Sequence, residues 1–277
     1  MTTVASVIPI YNGARFVSKA IESVLSQSRI PDEVICVDDG STDESVDIVR
    51  KYPVRLITQK NGGPASARNA GILASSSDWI AFLDHDDTWH SNKTEFQLNM
   101  ISETVDAIFC EKTPNSENLG VDDFFIRNYG GNPSGSLIRR SALIELGLFD
   151  ESRTCFGVDD YDFWLRFIHA GRKYVTTPNL YNFTPADNHY GGKYEEMLDA
   201  ECYVINKFAT LADLDPEIVA ERIRKLEKDS IPSLISIRKL ERARSIVLSN
   251  GLLGHPIGYY SCFLPSWILN IKRRIYK

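Results

Sequence analysis

Trp79-Ile80-Ala81-Phe82-Leu83-Asp84-His85-Asp86-Asp87-Thr88-Trp89 joins an apolar run to a knot of acids. Its first five residues are apolar, a run that suits a buried strand and is too short for an ordinary helix. Asp84, Asp86 and Asp87 come at once after it, at the point where such a strand leaves its sheet. Acids this close repel one another, so a fold needs a reason to gather them. A hard divalent cation, Mg²⁺ or Mn²⁺, supplies one, because it takes carboxylate oxygens and shares its remaining positions with phosphates. The same residues also fit a solvated acidic turn in which Asp87 caps the next element. The rest of the chain has to separate the two readings.

Working outward, strand and helix signals alternate. Val4–Ile10 reads as a strand ending in the turn cluster Pro9-Ile10-Tyr11-Asn12-Gly13. Phe16, Val17, Ala20, Ile21, Val24 and Leu25 then recur at helical spacing, the stripe of a helix laid on a sheet. Pro31 closes that helix, and Val34–Val37 is a second buried strand running into Asp38-Asp39-Gly40-Ser41-Thr42-Asp43, where Ser41, Thr42 and Asp43 offer caps for the next helix. Val54–Thr58 is a third strand, and Asn61-Gly62-Gly63-Pro64 opens a helix through Ala65, Ala67, Ala70 and Leu73. With the strand at 79–83 as the fourth, the rhythm predicts an α/β fold: a doubly wound, mostly parallel sheet with helices on both faces. Ligands of such sheets bind beyond the carboxyl ends of the strands. Tyr11-Asn12, Asp38-Asp39 and Asp84–Asp87 should therefore open onto one crevice.

Composition narrows the function. At 277 residues the chain suits one large domain with a smaller appendage, and 43% hydrophobic with 25% charged residues is ordinary for a globular protein. A net charge of −6 argues against nucleic acid as a partner. The five cysteines lack CxxC spacing, which predicts reduced thiols in a cytoplasmic compartment rather than a disulfide framework or a zinc site. The N-terminal residues read as a strand, not a signal peptide, and no apolar run is long enough to span a bilayer. Neither GxGxxG after the first strand nor GxxxxGK[ST] anywhere occurs. Phosphates would then be held by a metal on the acidic turn, by Arg68, and by the amides that start the Pro64 helix.

VASVIPIYNG (4–13), VDDGSTD (37–43), NGGPASARNAG (61–71) and FLDHDD (82–87), in that order, resemble the nucleotide-binding half of a family 2 glycosyltransferase of the GT-A fold. NPSGSLIRRSALIELGLFDE (132–151) and GVDDYDFWLR (157–166) extend the resemblance to about Arg166, and it fades beyond about Asn188. The resemblance implies an inverting, metal-dependent transfer of a sugar from a nucleotide-sugar, most simply a UDP-sugar, to an acceptor hydroxyl in bacterial-type polysaccharide or glycolipid assembly. Pro9 and Tyr11 would shape the nucleobase pocket, Asp39 would accept from the imide N–H of uracil, and Arg68 would lie near the diphosphate. Asp84 and Asp86 match the DxD pair that meets ribose and metal. Asp86 would be the main ligand to Mn²⁺ or Mg²⁺, Asp87 would share that role, and His189 would complete the site.

Asp160 aligns with the catalytic base, which takes a proton from the acceptor hydroxyl. The family's glutamate before it is here Asp159, one methylene shorter. Asp162 and Arg166 stand four apart, the spacing of a structural ion pair. The implied organisation is a nucleotide-sugar half at 1–110, an acceptor and catalytic half at 111–192, and a helical extension at 193–277. Within the extension, residues 255–277 read as an amphipathic segment ending in Lys272-Arg273-Arg274, suited to peripheral contact with an anionic membrane at its cytoplasmic face. A lipid-linked or glycan acceptor fits that placement. Two rival readings are a catalytically inactive nucleotide-sugar-binding subunit and a nucleotidyltransferase; the latter would need a glycine- and lysine-rich loop after the first strand.

Overall fold

The computed structural model describes residues 2–110, 119–184, 194–236 and 239–250. The chain divides into two compact units, Met1–Ala186 and Asp187–Lys277.

The first unit is built on a seven-stranded sheet. Strands β1 (Val4–Ile10), β2 (Glu33–Asp38), β3 (Arg55–Thr58) and β4 (Trp79–Phe82) alternate with helices α1 (Val17–Leu25), α2 (Ser45–Val49) and α3 (Pro64–Ala74). Further along come β5 (Thr88–Trp89), α4 (Lys93–Leu98), β6 (Ala107–Cys110), α5 (Val121–Ile126), β7 (Leu137–Arg139), α6 (Arg140–Glu145), α7 (Asp159–His169), β8 (Tyr174–Thr177) and β9 (Tyr181–Asn182). The sheet order is β3-β2-β1-β4-β7-β6-β8, and β5 pairs with β9 in a separate ribbon. The pairs β2–β3, β1–β2, β1–β4 and β6–β8 are parallel; only β7 runs against its neighbours. The mostly parallel α/β sheet expected from the sequence is the one observed.

All seven residues of β1 are buried because both faces of the strand are covered. Successive side chains point to opposite faces. Val4, Ile8 and Ile10 join the core formed with Val17, Ala20, Ile21 and Val24 of α1. Val7 meets α3 on the other face, so closely that a Cβ on Gly71 would lie 2.4 Å from Val7 Cγ1. A glycine at 71 lets α3 settle onto the strand. The expected caps of α2 shift by a few residues: the helix starts at Ser45, and Asp43 instead accepts from the Ala14 and Ser45 amides. Asp43 thus ties the turn after β1 to the start of α2.

The second unit contains α8 (Tyr194–Leu211), α9 (Pro216–Ser236) and α10 (Leu240–Ser249), packed around Leu198, Ile231, Leu234, Ala243, Ile246 and Val247. Pro216 starts α9, as its fixed φ favours. Pro232, expected to break the chain, lies inside α9. The missing N–H removes one helical bond there, but Ile231 and Leu234 on either side are buried in the unit's core and hold the helix together. Among the described residues no helix is long and apolar enough to cross a membrane. His189 and the 255–277 segment lie outside the described residues.

Candidate active site at the carboxyl ends of the strands

The parallel register places three turns side by side. Ile10 is opposite Asp38, so β1 and β2 end together, and β4 ends at Phe82 opposite Val7, from where its acidic turn continues alongside the end of β1. Hydrogen bonds sew the turns to one another. Asp39 N donates to Ile10 O at 2.8 Å, Asn12 N to Ser41 Oγ at 3.0 Å, and Thr42 N to Asn12 Oδ1 at 2.8 Å. On the other side, His85 Nδ1 lies 3.3 Å from Pro9 O. The imidazole lies on Gly13, where a Cβ would come within 2.4 Å of Cδ2. His85, unremarkable in the sequence, is the contact that brings the acidic turn against the end of β1.

Of the residues expected at the nucleotide, Pro9 is buried within β1, and the Tyr11 ring stands at the rim, 46% exposed. Asp39 is buried and accepts from Gly62 N, Gly63 N and Gln59 Nε2, each at 2.8 Å. Two of these reach Oδ1 and one reaches Oδ2. The carboxylate therefore shapes the loop opening α3 and keeps acceptor capacity on Oδ2. Gly63, at φ +91°, occupies a conformation a side chain would strain.

Arg68 occupies the centre of the site. Its Nη2 donates to Asp84 Oδ1 at 2.8 Å and its Nη1 to Asp159 Oδ2 at 2.7 Å. Its guanidinium also lies 5.7 Å from the Phe149 ring centroid. One buried guanidinium thus joins the acidic turn after β4 to the acidic start of α7, which are 75 positions apart in sequence. Burial pulls against its charge, yet Asp84, Asp159 and Asp160 together hold its pKa above the ordinary arginine value. Asp159, buried as well, is pushed up to about 6 by desolvation; Arg68 pulls it back and Asp160 adds to the rise.

Asp87 is the buried member of the turn. It accepts from Thr184 N at 2.9 Å, with Asn132 Nδ2 at 3.5 Å, and its own amide donates to Asp84 O at 3.0 Å. Burial raises its carboxyl to about 7, opposed by the Ser134 hydroxyl and the Thr184 amide and reinforced by the charges of Asp84 and Asp86. The acids after β4 and those at the start of α7 thus share one guanidinium between them. Carboxylates are the ligands a hard divalent cation takes; among the described residues, however, the group of three whose ligand atoms converge is a different one. That group is less suited. Ligand atoms of Asp150, Cys155 and Asp162 lie within 4.8 Å of one another. Asp162, however, is paired with Arg166 at 2.8 Å, as their spacing predicts, and Asp150 accepts from Ser152 N. Burial raises the Cys155 thiol to about 11, which keeps it neutral.

Asp160 is the second residue of α7. Its Oδ1 accepts from Tyr161 N at 2.7 Å and its Oδ2 from Asn128 Nδ2 at 3.2 Å. A single loop, residues 128–136, connects it with the carboxylate turn: Asn128 reaches Asp160, Asn132 approaches Asp87, and Ser134 Oγ accepts from Asp84 N at 3.0 Å. Trp164 seats this loop on α7, its Nε1 donating to Gly131 O and its ring so close that a Cβ on Gly130 would lie 2.3 Å away. The turn-rich character of 132–136 is readable in sequence. Nothing there marks Asn128 or Ser134 individually, because their partners are remote carboxylates.

The chain matches the family model described as "Glycosyl transferase family 2" over residues 6–167. An uncharacterized glycosyltransferase of Rickettsia prowazekii is 31% identical over 193 residues, covering 62% of this chain and 60% of that protein. The chain thus spans less than two thirds of the length of the curated relatives it matches first. The succinoglycan biosynthesis protein ExoO of Rhizobium meliloti is 35% identical over 158 residues, 55% of this chain and 43% of that protein. Among solved structures, glucosyl-3-phosphoglycerate synthase from Mycobacterium tuberculosis, in complex with Mn²⁺, uridine diphosphate and phosphoglyceric acid, is similar at a TM-score of 0.58. Its identity is 14%, and the match covers 77% of this chain and 80% of that one, so the two share the GT-A fold.

Proposed function

The chain belongs to glycosyl transferase family 2, and we propose that it moves a sugar from a nucleotide-sugar, of the UDP class, to an acceptor hydroxyl with inversion at the anomeric carbon. The observation that carries this reading is the Arg68 bridge between Asp84 and Asp159. It ties the carboxylate turn after β4 to the start of α7, where Asp160 follows Asp159, and so supports one site that uses both acidic segments.

Tyr11 at the rim, with Pro9 behind it, would face the nucleobase, and the free acceptor capacity of Asp39 suits an imide N–H. Asp84 would meet the ribose and the metal. Asp86 and Asp87 would hold the cation. When bound, Mn²⁺ or Mg²⁺ offsets charge developing on the leaving diphosphate. Asp160 accepts the proton of the acceptor hydroxyl as its oxygen attacks from the face opposite the diphosphate, and an α-linked donor gives a β-linked product. Asn128, bonded to Asp160, orients the carboxylate for that transfer. The M. tuberculosis enzyme solved with Mn²⁺ and UDP supports the cation and donor class, and ExoO supports an acceptor in polysaccharide assembly.

Asp86→Ala is expected to weaken Mn²⁺-dependent UDP binding at least tenfold, since a carboxylate ligand is lost, while EDTA abolishes the difference between variant and wild type. Calorimetric titration of UDP with and without Mn²⁺ measures it, and equal affinities in Mn²⁺ would remove Asp86 from the metal site. The acceptor is proposed to be glycan or lipid-linked, met at the cytoplasmic face of a membrane by the 255–277 segment. Full-length protein should co-sediment with anionic liposomes and a chain ending at Gly254 should not; equal sedimentation refutes the contact.

A further inference from the structure

The loop at 132–136 rests on three side chains. Trp89 Nε1 donates to Ser134 O at 2.9 Å, Gln97 Nε2 to Gly135 O at 2.9 Å, and Lys93 Nζ to Ser136 O at 3.3 Å. Three successive carbonyls therefore each receive a separate donor. Lys93 and Gln97, four apart on α4, share one helix face. Lys93 Nζ also donates to Gln97 Oε1 at 2.8 Å and lies 4.2 Å from the Trp89 ring centroid. Lys93 and Gln97 are fully buried and Trp89 nearly so.

A lysine at this depth needs a reason. Among the described residues it makes no ion pair, and burial pulls its ammonium down to about 8. An apolar side chain of equal length would fill the same volume without desolvating a charge. What the ammonium adds is a set of donors aimed at the loop and at Gln97. The loop's upper side explains why its height matters. Ser134 is fully buried; its hydroxyl takes the Asp84 amide and touches the Asp87 carboxylate. Any slackening of the 134–136 backbone is passed directly to the acidic turn.

We propose that Trp89, Lys93 and Gln97 are positioning residues that fix the backbone at 134–136, so that Ser134 holds the Asp84–Asp87 turn in the shape that takes donor and cation. The three side chains touch no reacting atom and act only through the loop. Their effect on donor and cation rests on the assignment of that turn made under the proposed function.

Two conservative substitutions in the full-length protein test this. Trp89→Phe keeps a ring and removes one N–H; Lys93→Met keeps the length and removes the ammonium. Hydrogen exchange at the Asp84 amide, initial rates against UDP-sugar and Mn²⁺, and thermal midpoints are measured together. In both variants the Asp84 amide should exchange roughly five- to tenfold faster, with β1 amides unchanged. The KM for donor and the half-saturating Mn²⁺ should each rise about tenfold while kcat stays within about threefold. A purely structural role would lower the thermal midpoint and the active fraction and leave KM alone. Unchanged Asp84 exchange and unchanged KM in Trp89→Phe, the milder substitution and decisive even should Lys93→Met not fold, overturns the proposal. If the wild type shows no Mn²⁺-dependent donor binding but Asp84 exchange still responds, the positioning role stands and the assignment of the turn falls.

Discussion

Asp160→Asn is expected to lower glycosyl transfer by roughly 10²- to 10⁴-fold, the usual worth of a general base, while leaving UDP and Mn²⁺ affinity within about twofold of wild type. The substitution keeps the shape of the side chain and removes its ability to take a proton. Most of its surroundings should survive. The oxygen that accepts the Tyr161 amide remains an acceptor, whereas the new side-chain amide meets Asn128 Nδ2 donor to donor, so that one bond is lost. A small loss of fold stability at the start of α7 is expected from removing a negative charge near a helix N-terminus, worth about 0.3–1 kcal/mol. Steady-state rates beside calorimetric donor binding separate chemistry from binding. Normal turnover by Asp160→Asn would assign the base to another residue. Asp159 is the alternative in sequence, but Arg68 occupies its Oδ2 at 2.7 Å.

Arg68→Met is expected to be the most damaging single change for stability. Removing one member of a buried ion pair leaves the other uncompensated, at about 3–5 kcal/mol. Here two carboxylates lose their partner; Asp159 is fully enclosed, whereas Asp84 keeps some contact with solvent and accounts for less. The pH dependence has a definite sign. In the native protein the Asp159 carboxyl is raised to about 6 from 3.8, so the folded state binds its proton more tightly than the unfolded chain. Stability tied to this group therefore falls as pH rises through that window and returns in acid. Without Arg68 to pull the carboxyl back, the rise is larger. The deficit of Arg68→Met against wild type should be greatest near neutral pH and should shrink as the pH drops toward 5. Urea unfolding of both proteins at several pH values measures it, and a deficit that is constant or grows in acid contradicts this role for Arg68. Arg68→Lys should rescue only part, because an ammonium lacks the planar fork that spans two carboxylates at 2.7 and 2.8 Å.

Much of this fold is legible in the sequence. Val4–Ile10, Glu33–Asp38, Arg55–Thr58 and Trp79–Phe82 appear as strands within a residue or two of their apolar runs, and the Val17–Leu25 stripe is the helix its spacing promises. These elements are readable because a strand covered on both faces must be apolar throughout, and a helix laid on a sheet must be apolar on one side. The Asp162–Arg166 pair is read from a local spacing. Pro232 inside α9 is not, because burial of its neighbours overrides a local rule.

The layer architecture, the strand ends at which the acids gather, and the two acidic clusters are all written in the order of the residues. What joins those clusters emerges in three dimensions. Arg68 reads in sequence as a phosphate contact and is bonded to Asp84 and Asp159; Asp39 braces the loop before α3; Lys93, which no pattern singles out, lies beneath the loop that shapes the acidic turn. Periodicity records which face of an element is buried, a property of neighbours in sequence. The partner of a buried polar group is set by where a remote segment comes to rest, and no local spacing encodes that distance.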